Sequence, residues 1–225
     1  MKLLKNWTKF ERTFLCISIF SISLVSILFQ SDILTIACSI VGIIAILLIA
    51  KGKNSGQIWG ILYTILYSIV SFRSKYYGEV FIYILFMLPM FIAGIIAWIK
   101  HKNTETDSEE INGITKKEWF YIFLTVPIIF VGIYFLLKLF HTEELILSAV
   151  SAISSLLGIY LQIRRARSSF VFYMLNDILL ILLWGLPVLR GNYILLPMFL
   201  NVFFLFIDDI YGLYNWNKLM QLQRT

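Results

Sequence analysis

The sequence predicts an all-α integral membrane protein of about eight transmembrane helices: one N-terminal helix, then two parallel three-helix repeats joined by a single helix (3+1+3). Three observations carry that expectation. Hydrophobic residues make up 60% of the 225 and charged ones 14%, where a soluble domain carries about 25% charged; a water-facing surface of this size cannot be covered with so few charges. The apolar residues arrive in blocks long enough to cross hydrocarbon, without polar partners at helical spacing. A G-x-x-x-W-x-K motif ends two of those blocks, as Gly94, Trp98, Lys100 and as Gly212, Trp216, Lys218.

Eight spans follow in order. The first, Thr13–Phe29, comes after Lys2, Lys5, Lys9 and Arg12, as in a signal peptide. No small-x-small cleavage site follows it, since Phe29-Gln30-Ser31-Asp32 runs on into another apolar block, so it is expected to remain as a helix. The next are Ile33–Ala50, Gln57–Phe72 and Glu79–Ile99, with the polar stretch Lys100–Lys117 beyond them as a solvated loop. Then come Trp119–Phe140, Leu145–Gln162, Ser169–Pro187 and Tyr193–Trp216. The implied units are residues 1–30 (extra helix), 31–100 (first repeat), 101–118 (loop), 119–141 (linker helix), 142–218 (second repeat) and 219–225 (tail). Tyr and Trp gather near block ends, where their amphipathic rings suit the headgroup level.

Charge fixes the expected orientation. With both termini cytoplasmic, 15 of the 19 basic residues fall on the cytoplasmic side, and only Arg73, Lys75, Lys138 and Arg190 fall outside. Dropping any middle helix would reverse that bias for every loop beyond it. The net charge of +6 is thus explained by membrane flanks and not by nucleic acid. Cys16 and Cys38 lie inside apolar blocks with no CxxC and no nearby His, as packing residues do.

The two motif copies lie 118 residues apart, and each closes a unit whose middle helix is entered from a basic turn, Lys51-Gly52-Lys53 or Arg164-Arg165-Ala166-Arg167. An odd number of linking crossings gives both units the same orientation, hence a pseudo-two-fold axis along the membrane normal. Leu-Pro-Met also recurs, at Leu88–Met90 and Leu196–Met198, but with an offset of 108.

Ionisable groups inside a bilayer cost about 2.5–3.5 kcal/mol each on insertion scales and are functional candidates for that reason. Asp177, beside Asn176, lies near the middle of the seventh block; Asp208 and Asp209 lie in the eighth, two turns after Asn201; Glu79 opens the fourth at its outer surface. Asn201, Asp208 and Tyr211 share a helix face, and one of the two adjacent acids is expected to meet only water or a backbone amide. Phe170, Tyr173, Asp177 and Trp184 form a stripe on the seventh helix, and Trp59, Tyr63 and Tyr67 recur at i, i+4, i+8 on the third. With Tyr83, these residues suit a cavity for a flat, hydroxyl-bearing, preferably cationic ring, held by stacking, cation–π attraction and hydrogen bonds. The competing reading is helix–helix packing, with Asn201 as interhelical glue. There is no HExxH, GxSxG or Walker A, so neither zinc hydrolysis nor ATP-driven pumping is expected, and no cofactor.

The run Gly52-Lys53, Trp59-Gly60, Tyr63, Tyr67, Tyr77-Gly78-Glu79, Leu88-Pro89-Met90, Gly94, Trp98 resembles the first repeat of the PnuC family of nicotinamide riboside transporters. Tyr173–Leu179 and Asp208–Trp216 resemble its second repeat, so the similarity spans roughly residues 33–218. The resemblance implies a full-length SWEET-like fold. It also implies facilitated diffusion of a vitamin precursor in a bacterial inner membrane, trapped by a separate cytoplasmic kinase. The family's W-x-x-W-x-x-x-N corresponds here to Phe170, Tyr173 and Asp177, so an amide has become an acid, and Phe91 stands where members often carry Gln. Family members also carry thiamine or riboflavin. The added carboxylate favours a cationic ligand, nicotinamide riboside or thiamine, over neutral riboflavin. The alternative outside this class is a non-transporting membrane subunit. The sequence does not fix whether copies associate as a homo-oligomer.

Overall fold

The computed structural model describes residues 7–103, 108–109 and 111–222, with the side chains of 97–103 and 108–109 excepted. Lys2, Lys5 and Arg224, the centre of the polar loop and the end of the tail lie outside the described residues, as do the side chains of Trp98 and Lys100.

Among the described residues eight helical spans are long and apolar enough to cross a membrane. They are α1 (Lys9–Leu28), α2 (Ile33–Ala50), α3 (Ser55–Arg73), a composite fourth, α6 (Lys116–Leu139), α7 (Leu145–Ile163), α8 (Ser169–Leu189) and the last, a 3-10 turn Tyr193–Leu195 continuing as α9 (Leu196–Leu222). The composite is α4 (Tyr77–Ile82), a π turn over Tyr83–Met87 and α5 (Leu88–His101). Two-residue strands, β1 (Lys102–Asn103) and β2 (Ser108–Glu109), pair antiparallel in the polar loop.

Local chemistry sets the ends. The first helix starts at Lys9 and not Thr13, because Thr8-x-x-Glu11 is a capping box: Glu11 N donates to Thr8 Oγ1 at 3.2 Å and Thr8 N to Glu11 Oε2 at 2.7 Å. Thr115 and Glu118 repeat the device at α6. Asp32 caps α2, accepting from Leu34 N and Thr35 N. The last helix runs to Leu222, six residues beyond the expected Trp216. After α2 and α7 the chain turns through left-handed residues, Gly52 at φ 68° and Arg165 at φ 56°, the usual device for ending a helix in a tight turn.

The fourth span explains the mismatched Leu-Pro-Met offset. Pro89 has no N–H, and its ring collides with the carbonyl one turn back; the ladder widens into a π turn immediately before it. Leu196-Pro197-Met198 instead opens α9, where a proline costs nothing. The two copies therefore occupy different depths.

Large apolar side chains cover the outer face, among them Phe20, Phe123, Ile128 and Leu189, each at least two-thirds exposed. Such a surface is compatible with lipid and not with water. Cys38 is in the core, and Cys16 faces outward. Inside, α2 packs on α3 and α9, α8 on α7 and α9, and α4 on α7, while α1 lies against α2 and α9. Small residues of α7, including Ser148, Ser151, Ala152, Ser155 and Gly158, let neighbouring helices approach closely. The linker α6 packs on α7 and leaves an outward groove lined by Phe86, Ile122, Ile129, Leu156 and Tyr160; its walls are almost wholly apolar, as lipid chains require.

Candidate functional site

The polar interior lies between α2, α3, the π turn, α7, α8 and α9. Its hollow is lined by Tyr63, Tyr83, Phe170 and Tyr173, by Gln57, Gln162 and Asn176, and by Asp177 and Asp209, with Ile46, Ile49, Leu205, Met87, Met90 and Phe91 as apolar walls. Gln57 is near the start of α3 and Gln162 near the end of α7, whereas Asp177 is eight residues into α8. The hollow thus runs from mid-depth toward the basic end of the bundle, which carries Lys51, Arg164, Arg165 and Lys218. The open space is about 40 Å³, enough for a few waters but not for a ring with a sugar unless side chains move.

Above it, toward the opposite end, aromatic rings close the path. Tyr67 stacks on Tyr83 at 4.2 Å between centroids, Trp184 meets Tyr67 edge-on at 5.9 Å, and Tyr76 meets Trp184 at 5.0 Å. Hydrogen bonds fix the stack: Trp184 Nε1 donates to Tyr67 Oη at 3.0 Å, and Tyr76 Oη to the Leu183 carbonyl at 2.9 Å. Under this stack sits Glu79. The sequence places it at the outer surface, but its side chain is fully buried. Ser151 Oγ lies 2.8 Å from Glu79 Oε1 and 2.9 Å from Asn176 Oδ1, so one hydroxyl ties α4, α7 and α8 together. Ionisable groups at block ends look interfacial in a sequence. Here the helix starts two residues earlier than expected, and the small face of α7 covers the carboxyl.

Glycines shape the hollow where rings pass over backbone. A Cβ on Gly158 would sit 2.5 Å from Tyr173 Cε1, and one on Gly42 would sit 2.7 Å from the Tyr63 ring and 3.0 Å from Asn201 Oδ1. The motif glycines have matching roles: Gly94 backs Gln57, and Gly212 backs Phe170. Trp216 of the second copy donates to the Ile49 carbonyl at 3.3 Å, across to α2.

Of the sequence candidates, Tyr63, Tyr83, Phe170, Tyr173, Asn176 and Asp177 meet in the hollow. Tyr67 is buried just above it. Trp59 is not with them; it is 38% exposed on the outer face. Steps of four residues drift by about 40° each on a 3.6-residue helix, so Trp59 and Tyr67 point some 80° apart and the i, i+4, i+8 series does not hold one face. Asn201 is buried beside the hollow, its Nδ2 donating to Tyr63 Oη at 3.2 Å. Asp208 and Asp209 are both buried, against the expectation that one meets water or a backbone amide. The one lining the hollow is Asp209. Tyr211 points to the basic end, where its Oη donates to Glu11 Oε1 at 2.6 Å. Gln57 and Gln162 are additions; both are amides at the margins of apolar blocks, a signal that reads as a helix boundary.

At the basic end, Glu11 of α1 also pairs with Lys51 Nζ at 2.6 Å, and Asn215 Nδ2 donates to the Ala50 carbonyl at 2.8 Å. The N-terminal helix thereby clasps the end of α2 to α9.

An all-helical bundle with an amphiphilic, aromatic-walled hollow closed at one end by stacked rings defines a membrane carrier for a small organic molecule. Residues 32–218 match the family model described as nicotinamide mononucleotide transporter, and the chain belongs to that family, the PnuC-type transporters. It is 26% identical over 98% of its length to the nicotinamide riboside transporter PnuC of Neisseria mucosa, covering 85% of that protein. To the protein of the same name from Haemophilus influenzae it is 22% identical over 96% of its length, covering 93% of that protein. The crystal structure of the vitamin B3 transporter PnuC superposes with a TM-score of 0.83 at 25% identity, over 97% of this chain and 95% of that one. The chain is therefore a multi-pass membrane transporter and not an enzyme.

Proposed function

We propose that this protein carries nicotinamide riboside across a bacterial inner membrane, basic end and both termini in the cytoplasm, by alternating access around the hollow. The observation that carries the reading is Asp177. Its carboxyl is buried, lines the hollow, and has Oδ2 without a hydrogen-bond partner. Around it stand Tyr63, Tyr83, Phe170 and Tyr173. A cationic pyridinium in that position gains a counter-charge together with cation–π attraction, worth about 2 kcal/mol when desolvated. The amides of Gln57, Gln162 and Asn176 suit ribose hydroxyls. The relatives' names point to the same ligand.

The hollow runs toward the basic end and is closed above by the Tyr67–Trp184–Tyr76 stack, and at about 40 Å³ it must widen to admit the ligand. Rocking of the two three-helix units (31–100 and 142–218) would exchange which end is closed, with the π turn before Pro89 as the soft point of the fourth span. No ATP motif drives the movement. The ligand runs down its own gradient, and phosphorylation by a cytoplasmic kinase makes entry one-way.

Uptake of labelled nicotinamide riboside into cells lacking other routes tests this, with thiamine and riboflavin as competitors. Asp177→Ala is expected to abolish uptake while the protein stays inserted and folded. Thiamine as the better competitor would reassign the ligand within the cationic class. Preference for riboflavin, or full transport by Asp177→Ala, would overturn the reading.

A further inference from the structure

Three sets of hydrogen bonds tie the two three-helix units together around the stack that closes the hollow. Trp184 of α8 donates to Tyr67 of α3, and Tyr76, just before α4, donates to the Leu183 carbonyl of α8. The third set centres on the Ser151 hydroxyl of α7, 2.8 Å from Glu79 Oε1 of α4 and 2.9 Å from Asn176 Oδ1 of α8. Of the three, only this one includes a residue that lines the hollow, Asn176. Glu79 Oε2 in turn lies 3.5 Å from the Tyr67 hydroxyl, at the limit of a hydrogen bond. A continuous polar path therefore runs through Asn176, Ser151, Glu79, Tyr67 and Trp184, from the hollow to the stack. Beyond the stack an open basin of about 580 Å³ is lined by Tyr76 together with Arg73 and Arg190.

The Ser151 link is short of a proton. A serine hydroxyl donates once, whereas a carboxylate and an amide oxygen only accept. One proton thus serves two acceptors, Glu79 Oε1 and Asn176 Oδ1, in side chains that are at most 4% exposed. A buried acceptor left without a donor is costly, so neither contact is held at full strength. A donor arriving at Asn176 from the hollow would end the competition.

We propose that Asn176 and Ser151 report occupancy of the hollow to its outer closure. A ligand hydroxyl or amide N–H that donates to Asn176 Oδ1 releases the Ser151 proton to Glu79, and α4 is then held more firmly on α7 beneath the stack. This rests on the reading of the hollow as the ligand's site. No covalent bond changes and no proton leaves the protein; one hydrogen-bond partner is exchanged for another, so the carrier needs no coupling ion. The effect has a direction. An empty carrier holds its outer side through a shared bond and opens there more readily. A loaded one holds it through a full bond and stays closed there until the ligand leaves toward the basic end. Ser151 and Glu79 are positioning residues in this scheme: they act through Asn176 and do not touch the ligand.

The test is hydrogen–deuterium exchange of the purified full-length protein with nicotinamide riboside as the probe, read over residues 77–82 for α4 and 173–177 for the hollow. In wild type the ligand should slow exchange in both segments, at 77–82 by about fivefold, the equilibrium equivalent of one neutral hydrogen bond. Ser151→Ala removes the shared hydroxyl, and 77–82 should exchange fast with or without ligand. Glu79→Gln brings an N–H that can donate to Ser151 Oγ and frees the hydroxyl proton for Asn176, so 77–82 should exchange slowly with or without ligand. In both variants the ligand should still bind and slow 173–177. Slowing at 77–82 that survives unchanged in either variant, or that is missing in wild type although 173–177 responds, overturns the coupling and leaves the ligand assignment standing. No response at 173–177 in wild type overturns the ligand assignment, and the coupling with it. Should Ser151→Ala fail to fold, Glu79→Gln decides alone.

Discussion

Gly158→Ala isolates how tightly the hollow is built. The new Cβ would lie 2.5 Å from Tyr173 Cε1 and 2.6 Å from Cδ1, roughly 1 Å inside the 3.5–4.0 Å at which carbon atoms rest. The α7 backbone is packed on both flanks, so the ring must yield. Two opposed effects decide stability. Overpacking a well-filled interior costs about 1–3 kcal/mol, whereas replacing glycine by alanine inside a helix contributes about 1 kcal/mol in favour. The expected net loss is about 0–2 kcal/mol, read as a lowered thermal midpoint in detergent micelles. The ring has one direction to go, into a hollow of about 40 Å³, so ligand affinity should fall by about tenfold, equivalent to ~1.4 kcal/mol. Tyr173→Leu removes the obstacle, and the double variant Gly158→Ala/Tyr173→Leu should be more stable than the sum of the singles by about 1 kcal/mol or more. Strict additivity together with unchanged affinity in Gly158→Ala would refute the contact.

Three further outcomes follow from the geometry. Glu11→Ala strips Lys51 and Tyr211 of their shared partner and should lower stability by about 3 kcal/mol, the low end for breaking a buried pair, since the Lys51 stem lets its ammonium reach water; an unchanged unfolding midpoint would mean that α1 is not clasped to α2 and α9 there. Ser151→Ala leaves Glu79 and Asn176 without their common hydroxyl and should cost about 1–3 kcal/mol, measured by the same unfolding assay, with a neutral result counting against the three-helix tie. Trp59→Leu should bind nicotinamide riboside as wild type does, because the indole faces outward; weaker binding by this folded variant would return Trp59 to the site.

The spans were legible because hydrocarbon imposes a length and a polarity on each crossing, and both are local properties of the chain. The capped starts at Lys9 and Lys116 were also present locally, in Thr8-x-x-Glu11 and Thr115-x-x-Glu118, although the apolar blocks alone began later. Asp177, Tyr173 and Phe170 came out of helical spacing on a single helix, which needs no knowledge of neighbours.

What only the tertiary structure decided is which way the ambiguous side chains turn. Trp59 and Tyr67 sit on one helix with the same apparent register, yet one faces outward and the other is fully buried, because the drift of a 3.6-residue helix matters only once a neighbour is fixed. Asp208 and Asp209 are adjacent and chemically identical in sequence; the crossing of α8 over α9 brings the second to the hollow and leaves the first beside it. Glu79 reads as an interfacial acid until Ser151 of α7 and Asn176 of α8 close over it. Polarity along one chain sets how deep a residue lies in the bilayer. Its azimuth is set by the packing of helices distant in sequence, and the chemistry of this carrier depends on the azimuth.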